Sequence, residues 1–305
     1  MRKGLCGKTE IKHLLSIGMP VYNGEKYLIQ ALDSLLTQSF KDFELIISDN
    51  ASTDNTAEIC KRYLEKDNRI KYYRNKVNIG GAANFNNLIN YATAPYFMWT
   101  SHDDMWEPSY ISKLINIMES DKSIVLAFSV IDSIDEDGKQ IRVYPKILKL
   151  SSSETIFKRL FKFIMFEESD GKANLIHGIM RLNRLKEIGG FNKTLGEFAA
   201  DDLFLFSMLF KGNFYIFDEL LFHKRRSLGW YERRSLWENI SRWHTYFLGY
   251  HRVVATSKLD SFLKITLHFV TIFREVQFAM RFIKPIFRVV ISSAFKKISK
   301  IFLCR

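Results

Sequence analysis

The sequence predicts an α/β fold: a largely parallel sheet with helices on both faces. Three observations carry this. Apolar runs of strand length alternate with segments of helical periodicity in the order β-α-β-α-β-α-β between residues 14 and 100. Three polar clusters follow strand ends directly, where ligands of such sheets bind. The composition, 47% hydrophobic with only 15 Gly and 5 Pro, suits a large ordered core.

Leu14 to Met19 is a buried strand ending at Pro20. From Glu25 to Gln38, Leu28, Ala31, Leu32, Leu35 and Leu36 recur at helical spacing. Phe43 to Ser48 is the second strand, and Thr53 to Lys66 the second helix, opened by Asn, Ser, Thr and Asp residues suited to capping. Ile70 to Tyr73 is a short third strand, about Gly81 to Tyr91 a helix, and Tyr96 to Thr100 the fourth strand. Ser109 to Ser120 is helical and Ile124 to Val130 a strand. Asp135-Glu136-Asp137-Gly138 is a hairpin turn. Ser151 to Phe166 is helical, and a mixed region leads to Gly189-Gly190-Phe191-Asn192. A helix from about Ala200 to Phe210 and short strands at Phe214–Phe217 and Leu220–His223 complete this part. There is no internal repeat and no low-complexity segment.

The charge divides the chain. Of the formal +12, residues 256–305 supply ten Lys/Arg against Asp260 and Glu275. The expected organisation is therefore a catalytic-type domain over 1–255, with halves at about 14–130 and 131–255, followed by a basic helical tail over 256–305. In the tail, Lys264, His268 and Arg274 interrupt the apolar runs, and Pro285 breaks the pattern before Ile286 to Leu303. No run reaches the length of a spanning helix. A basic amphipathic segment of this kind can lie on an anionic membrane surface, or pack on the domain. Cys6, Cys60 and Cys304 form neither a disulfide framework nor a metal-ligand spacing, and no apolar run opens the chain, which fits a cytoplasmic setting without a signal peptide. Nucleic acid is disfavoured because the basic excess sits among apolar residues.

The chemistry concentrates at strand ends. Asp103 and Asp104 follow Tyr96 to Thr100. Adjacent carboxylates there repel each other, and a hard divalent cation with oxygen ligands relieves the repulsion and bridges phosphates. A solvated turn or a helix cap before Pro108 is the plainer alternative. Asp49 ends the second strand and can accept from the imide N–H of a pyrimidine base. Asp54 and Ser52 are placed to cap the following helix in its stead. Tyr22 can stack on a base, with the backbone at Pro20 beside it. Asn78-Ile79-Gly80-Gly81-Ala82-Ala83-Asn84 is a small-residue loop whose Asn78 or Asn84 can bond a ribose or base. Asp201-Asp202 opens a helix, either complementing its dipole or supplying a general base at Asp201. His102 and His177 are possible ligands, and Arg225-Arg226 a possible phosphate contact.

Together these motifs resemble the inverting glycosyltransferase family 2, which has the GT-A fold, over about Leu14 to Ser227. Ile17 to Asn23 is similar to its opening strand and nucleotide turn. Ser48-Asp49-Asn50-Ala51-Ser52-Thr53-Asp54 resembles its second-strand motif, with Asn50 where a second Asp is common. Ser101-His102-Asp103-Asp104 resembles its Asp-x-Asp metal motif, with Ser101 in place of the first Asp. The match of Ala200-Asp201-Asp202 to the segment holding the base favours Asp201.

The resemblance implies a metal-dependent transfer of sugar from a nucleotide-diphospho-sugar, a UDP-sugar favoured, to a glycan or lipid-linked acceptor hydroxyl with inversion. Pro20, Tyr22, Asp49, Asn78, Asn84 and Asp103 would bind the nucleotide. Mn²⁺ or Mg²⁺ would sit at Asp103 and Asp104. The implied context is bacterial surface polysaccharide assembly, at the inner face of the cell membrane. The alternative is an inactive module that binds nucleotide-sugar or membrane. A pyrophosphorylase needs a Gly- and Arg-rich first turn, and a nicotinamide enzyme a Gly-x-Gly-x-x-Gly turn; Met19 to Gly24 offers neither.

Overall fold

The structure, a computed structural model, describes residues 13–151, 154–191, 200–226 and 236–281. Asn192, the N-terminal residues 1–12 and the basic stretch from Ile286 to Leu303 lie outside the described residues. The contacts divide the chain into two compact units, Met1–Trp230 and Tyr231–Arg305.

In the first unit, β1 (Leu15–Val21), α1 (Leu28–Leu36), β2 (Phe43–Asp49), α2 (Thr56–Lys66), β3 (Ile70–Arg74), α3 (Gly81–Tyr91) and β4 (Tyr96–Trp99) realise the expected alternation. Then come β5 (Met105–Trp106), α4 (Tyr110–Ser120), β6 (Ile124–Ile134), β7 (Gln140–Val143), α5 (Ile156–Met165), β8 (Ile179–Arg181), α6 (Leu182–Ile188), α7 (Ala200–Leu209) and β9 (Asn213–Arg225). One sheet runs β3-β2-β1-β4-β8-β6-β9-β5, with β7 beside β6. Its first four strands are parallel. With right-handed crossovers, α1 and α2 lie on one face and α3 on the other, so the connection reverses at β1 and opens a crevice beyond the strand ends. Beyond β4 the sheet is mixed: β8 is antiparallel to β4 and β6, whereas β9 is parallel to β6.

Two expectations change in detail. β1 continues through Pro20 to Val21. It does so because β4 stops opposite Gly18, on the side where Pro20 has no N–H to offer. The two strands expected at Phe214–Phe217 and Leu220–His223 are one. Its register against β6 shifts between Ser129↔Phe217 and Val130↔Leu220, so Asp218 and Glu219 bulge out and interrupt the apolar pattern.

Beneath the crevice, Trp99 at the end of β4 is fully buried. It stacks on Phe191 (5.0 Å between centroids) and meets Phe204 of α7 edge-on at 5.3 Å. Its Nε1–H donates to the Phe85 carbonyl. This cluster fixes α7, which carries Asp201, against the strand that leads to Asp103.

The second unit contains α8 (Leu236–Thr256) and a helix α9 over 261–281. Phe278 of α9 packs on Trp243 of α8 with ring centroids 4.0 Å apart. Both helices fall in the unit Tyr231–Arg305. Among the described residues, no helix is long and apolar enough to cross a membrane.

Candidate active site

The turns after β1 and β2 are stapled together. Asn23, with φ of 50°, donates its backbone N–H to Ser52 Oγ, and its side-chain Oδ1 accepts from Thr53 N–H at 2.8 Å. Gly24 N–H donates to Thr56 Oγ1. Ala51 also has a positive φ, 63°, a conformation a side chain rarely adopts and one that the surrounding bonds must hold. Out of this frame Tyr22 projects, 45% exposed, beside the backbone of Pro20.

Asp49 is fully buried. Its Oδ1 accepts from Ser52 N–H and its Oδ2 from Tyr72 Oη–H at 2.6 Å, with Arg74 Nε 3.5 Å away. The start of α2 is capped by Asp54, as expected, and Asp49 is not used for it. Asp54 accepts from Thr56 N–H, while Asp49 itself closes the turn. Asn84 is buried at the foot of α3. Its Nδ2 donates to the Ser48 carbonyl, and its Oδ1 accepts from Ser48 Oγ–H and Asn75 Nδ2, all within the core. Asn50 holds the loop beyond β3: its Nδ2 donates to Asn78 Oδ1, and its Oδ1 accepts from Asn75 Nδ2 and Ile79 N–H. Asn78 stays exposed on that loop.

The acidic pair splits its work. The Asp104 carboxylate has no exposure; its Oδ2 faces Lys224 Nζ at 2.9 Å and its Oδ1 accepts from Arg225 N–H at 2.9 Å. Burial pushes this carboxyl up to about 6, and the Lys224 ammonium pulls it back. Asp103 keeps partial exposure, and its Oδ1 accepts from Ser101 Oγ–H. Burial alone would raise it, but Lys224, His102 and the Ser101 bond outweigh that and hold it below the ordinary carboxylate range. Both Asp104 oxygens are engaged inside the protein, and Asp103 is the partly exposed member of the pair. Among the described residues there is no group of three acidic, His or Cys side chains able to hold a metal. One ionised carboxylate still fits a cation that completes its shell with diphosphate oxygens and water, as Mg²⁺ and Mn²⁺ sites on phosphates do.

Arg225 is neither a phosphate contact nor surface charge. It is buried, donating to the carbonyls of Asp103, Asp135 and Glu136 and to Gln30 Oε1, with its guanidinium 4.4 Å over the Tyr27 ring. His177 is buried with Nδ1 3.2 Å from the Trp99 carbonyl, and desolvation lowers it to about 3, so it is neutral. Burial lowers His102 as well, with Asp103 offsetting it in part.

Asp201 lies in the first turn of α7. Desolvation first, then the Asp202 charge, push its carboxyl up to about 7. Asp202 pairs with the fully buried Lys172 at 3.3 Å, and its N–H donates to Asp201 Oδ1. The Lys224 ammonium is raised: burial would lower it, but Asp104, Asp103 and, more weakly, Asp201 outweigh that. Lys224 thus links the two acidic pairs, and no feature of the sequence singled it out.

A family model described as "Glycosyl transferase family 2" matches residues 16–186. The uncharacterized glycosyltransferase MJ1057 of Methanocaldococcus jannaschii is 36% identical over 135 residues, 44% of this chain and 47% of that protein. The chain thus spans about half the length of that relative. S. aureus TarS 1–349, solved in complex with UDP-GlcNAc, superimposes with a TM-score of 0.67 at 19% identity, over 87% of this chain and 73% of that one. The mannosyltransferase PcManGT from Pyrobaculum calidifontis, solved with GDP-Man and Mn²⁺, gives 0.55 at 15% identity, over 85% and 69% of the two chains.

Proposed function

The chain belongs to glycosyl transferase family 2, and from that premise we propose that it moves a sugar from a nucleotide-diphospho-sugar to an acceptor hydroxyl with inversion. One observation carries this reading. Two carboxyls whose charges both act on Lys224 have environments that drive them apart: Asp103 is held below the ordinary carboxylate range and Asp201 is raised to about 7. Such a split is how a site assigns its charge-binding and proton-accepting roles.

In this reading the base of the donor stacks on Tyr22 beside Pro20. Asp49, fixed by Ser52 and Tyr72, keeps lone pairs for the imide N–H of a uracil ring. Asn78 meets the ribose from the exposed loop. A UDP-sugar is the favoured donor, and the TarS complex with UDP-GlcNAc supports a donor of this class in such a fold. Asp103 would hold Mn²⁺ or Mg²⁺, which would supply positive charge to the departing diphosphate. The Mn²⁺ of the PcManGT complex supports that choice. Asp104 holds Asp103 in place through Lys224 and Arg225. Asp201 takes the proton of the acceptor hydroxyl, and that oxygen attacks the anomeric carbon. The bond from that carbon to the diphosphate oxygen breaks, and its electron pair leaves on the nucleoside diphosphate. A glycan or lipid-linked acceptor, a role in bacterial surface polysaccharide assembly and a peripheral contact with the inner face of the cell membrane complete the reading.

The test is donor hydrolysis and transfer over a panel of UDP-, GDP- and dTDP-sugars with and without Mn²⁺. Turnover of one nucleotide class, stimulated by Mn²⁺ and lost in Asp103→Ala and Asp201→Asn, is expected. Failure to turn over any donor, with donor binding unchanged in Asp103→Ala, would overturn it.

A further inference from the structure

Helix α9 has one buried face and, opposite it, an apolar face that is exposed. Leu267, Thr271, Arg274 and Phe278 are buried, and Phe278 packs on Trp243 of α8. Two polar contacts flank that seam: His244 with Glu275 at 2.8 Å and His251 with His268 at 2.7 Å. At about 100° per residue, the buried positions fall within an arc of about 60°. Phe262, Ile265, Phe269, Ile272, Val276 and Met280 fall on a second arc, about 80° wide, centred opposite the first. These six side chains are 42–77% exposed. A continuous exposed apolar stripe of this kind marks an interaction surface.

The charge of the segment says which surface. Residues 256–305 carry ten Lys/Arg and two acids, with Lys258 and Lys264 near one end of the stripe and Arg281 near the other. Two such segments repel each other, whereas an anionic surface attracts them. We propose that the face of Phe262, Ile265, Phe269, Ile272, Val276 and Met280 lies in the plane of an anionic lipid bilayer, inserted at the headgroup boundary. The buried face of α9 stays on α8, so the hairpin of α8 and α9 is the inserting body. This rests on the peripheral membrane contact proposed above and names the surface that makes it.

The experiment is co-sedimentation of the full chain with vesicles of phosphatidylcholine alone and of equal parts phosphatidylcholine and phosphatidylglycerol. Wild type should bind the anionic vesicles and lose binding as salt rises. Phe269→Ser combined with Ile272→Ser should weaken that binding at least about tenfold. Its circular dichroism and unfolding midpoint should stay unchanged, because both side chains are exposed. Gln277→Ser, off the stripe, should bind as wild type. If wild type binds and the double variant binds equally, the face is wrong while membrane contact stands. If wild type binds neither vesicle, both fail. If wild type binds neither but is a dimer that the double variant dissociates, the stripe belongs to a second copy and the lipid proposal is overturned. Donor turnover is scored separately and does not enter these outcomes.

Discussion

Asp201→Asn should stabilise the protein above neutral pH while removing its activity. Asn preserves the acceptor for Asp202 N–H and deletes the charge. The Asp201 carboxyl rises from 3.8 to about 7, chiefly by desolvation. An acid raised on folding contributes stability that is full below its unfolded value, near 3.8, and lost as the pH climbs through about 7. About three units at about 1.4 kcal/mol each set an upper limit of about 4 kcal/mol. The carboxyl keeps partial solvent contact, and water recovers part of that cost, leaving about 2 kcal/mol. Calorimetric melting at about pH 8 should therefore place the variant about 4–8 °C above wild type, and at about pH 4 the two should melt together. Transfer should fall about 10²–10⁴-fold in the variant, and the wild-type rate should have an acidic limb near 7. A melting difference that is the same at both pH values, or an acidic limb at an ordinary carboxylate value, would refute the reasoning.

Four further outcomes follow from the same geometry. Asp202→Asn, which removes the like charge beside Asp201, should move the acidic limb of the rate to lower pH. Asp103→Ala should abolish the Mn²⁺ dependence of donor binding in titration calorimetry, with stability changed by less than about 1 kcal/mol. Lys224→Met strands the buried Asp104 carboxylate and should cost about 3–5 kcal/mol in urea unfolding, much of it recovered by adding Asp104→Asn. Asn84→Leu leaves Ser48 and the Asn75 amide short of partners; it should cost about 2–4 kcal/mol and weaken UDP binding.

The parallel half of the sheet was legible because its signals are local. The helical recurrence of Leu28 to Leu36 and the boundaries of α3 at Gly81 and Tyr91 come from periodicity alone. β5 and β8 were not legible, since two- and three-residue strands leave no pattern to read. The continuity of β9 was hidden by its bulged Asp218 and Glu219. At the candidate site, Asp49, Asp103, Asp104 and Asp201 stood out as acids at element ends. Their separate environments did not, because partners far along the chain set them. Arg225 shows why: its ligands lie 89 to 195 residues away, and no local signal distinguishes a basic residue caged by carbonyls from one in water.

β9 ends in three consecutive residues that serve three different neighbours. His223 bridges Asp132 and Glu107, Lys224 reaches Asp104, and Arg225 clasps the backbone of Asp103. Alternation along a strand means that a slip of one position would exchange these errands and present the wrong side chain to the acidic pair. The Lys224–Asp104 link also closes across 120 residues of chain, the kind of contact that forms late in folding. The far end of the first unit thus sets the surroundings of a pair of acids that the chain lays down near its middle.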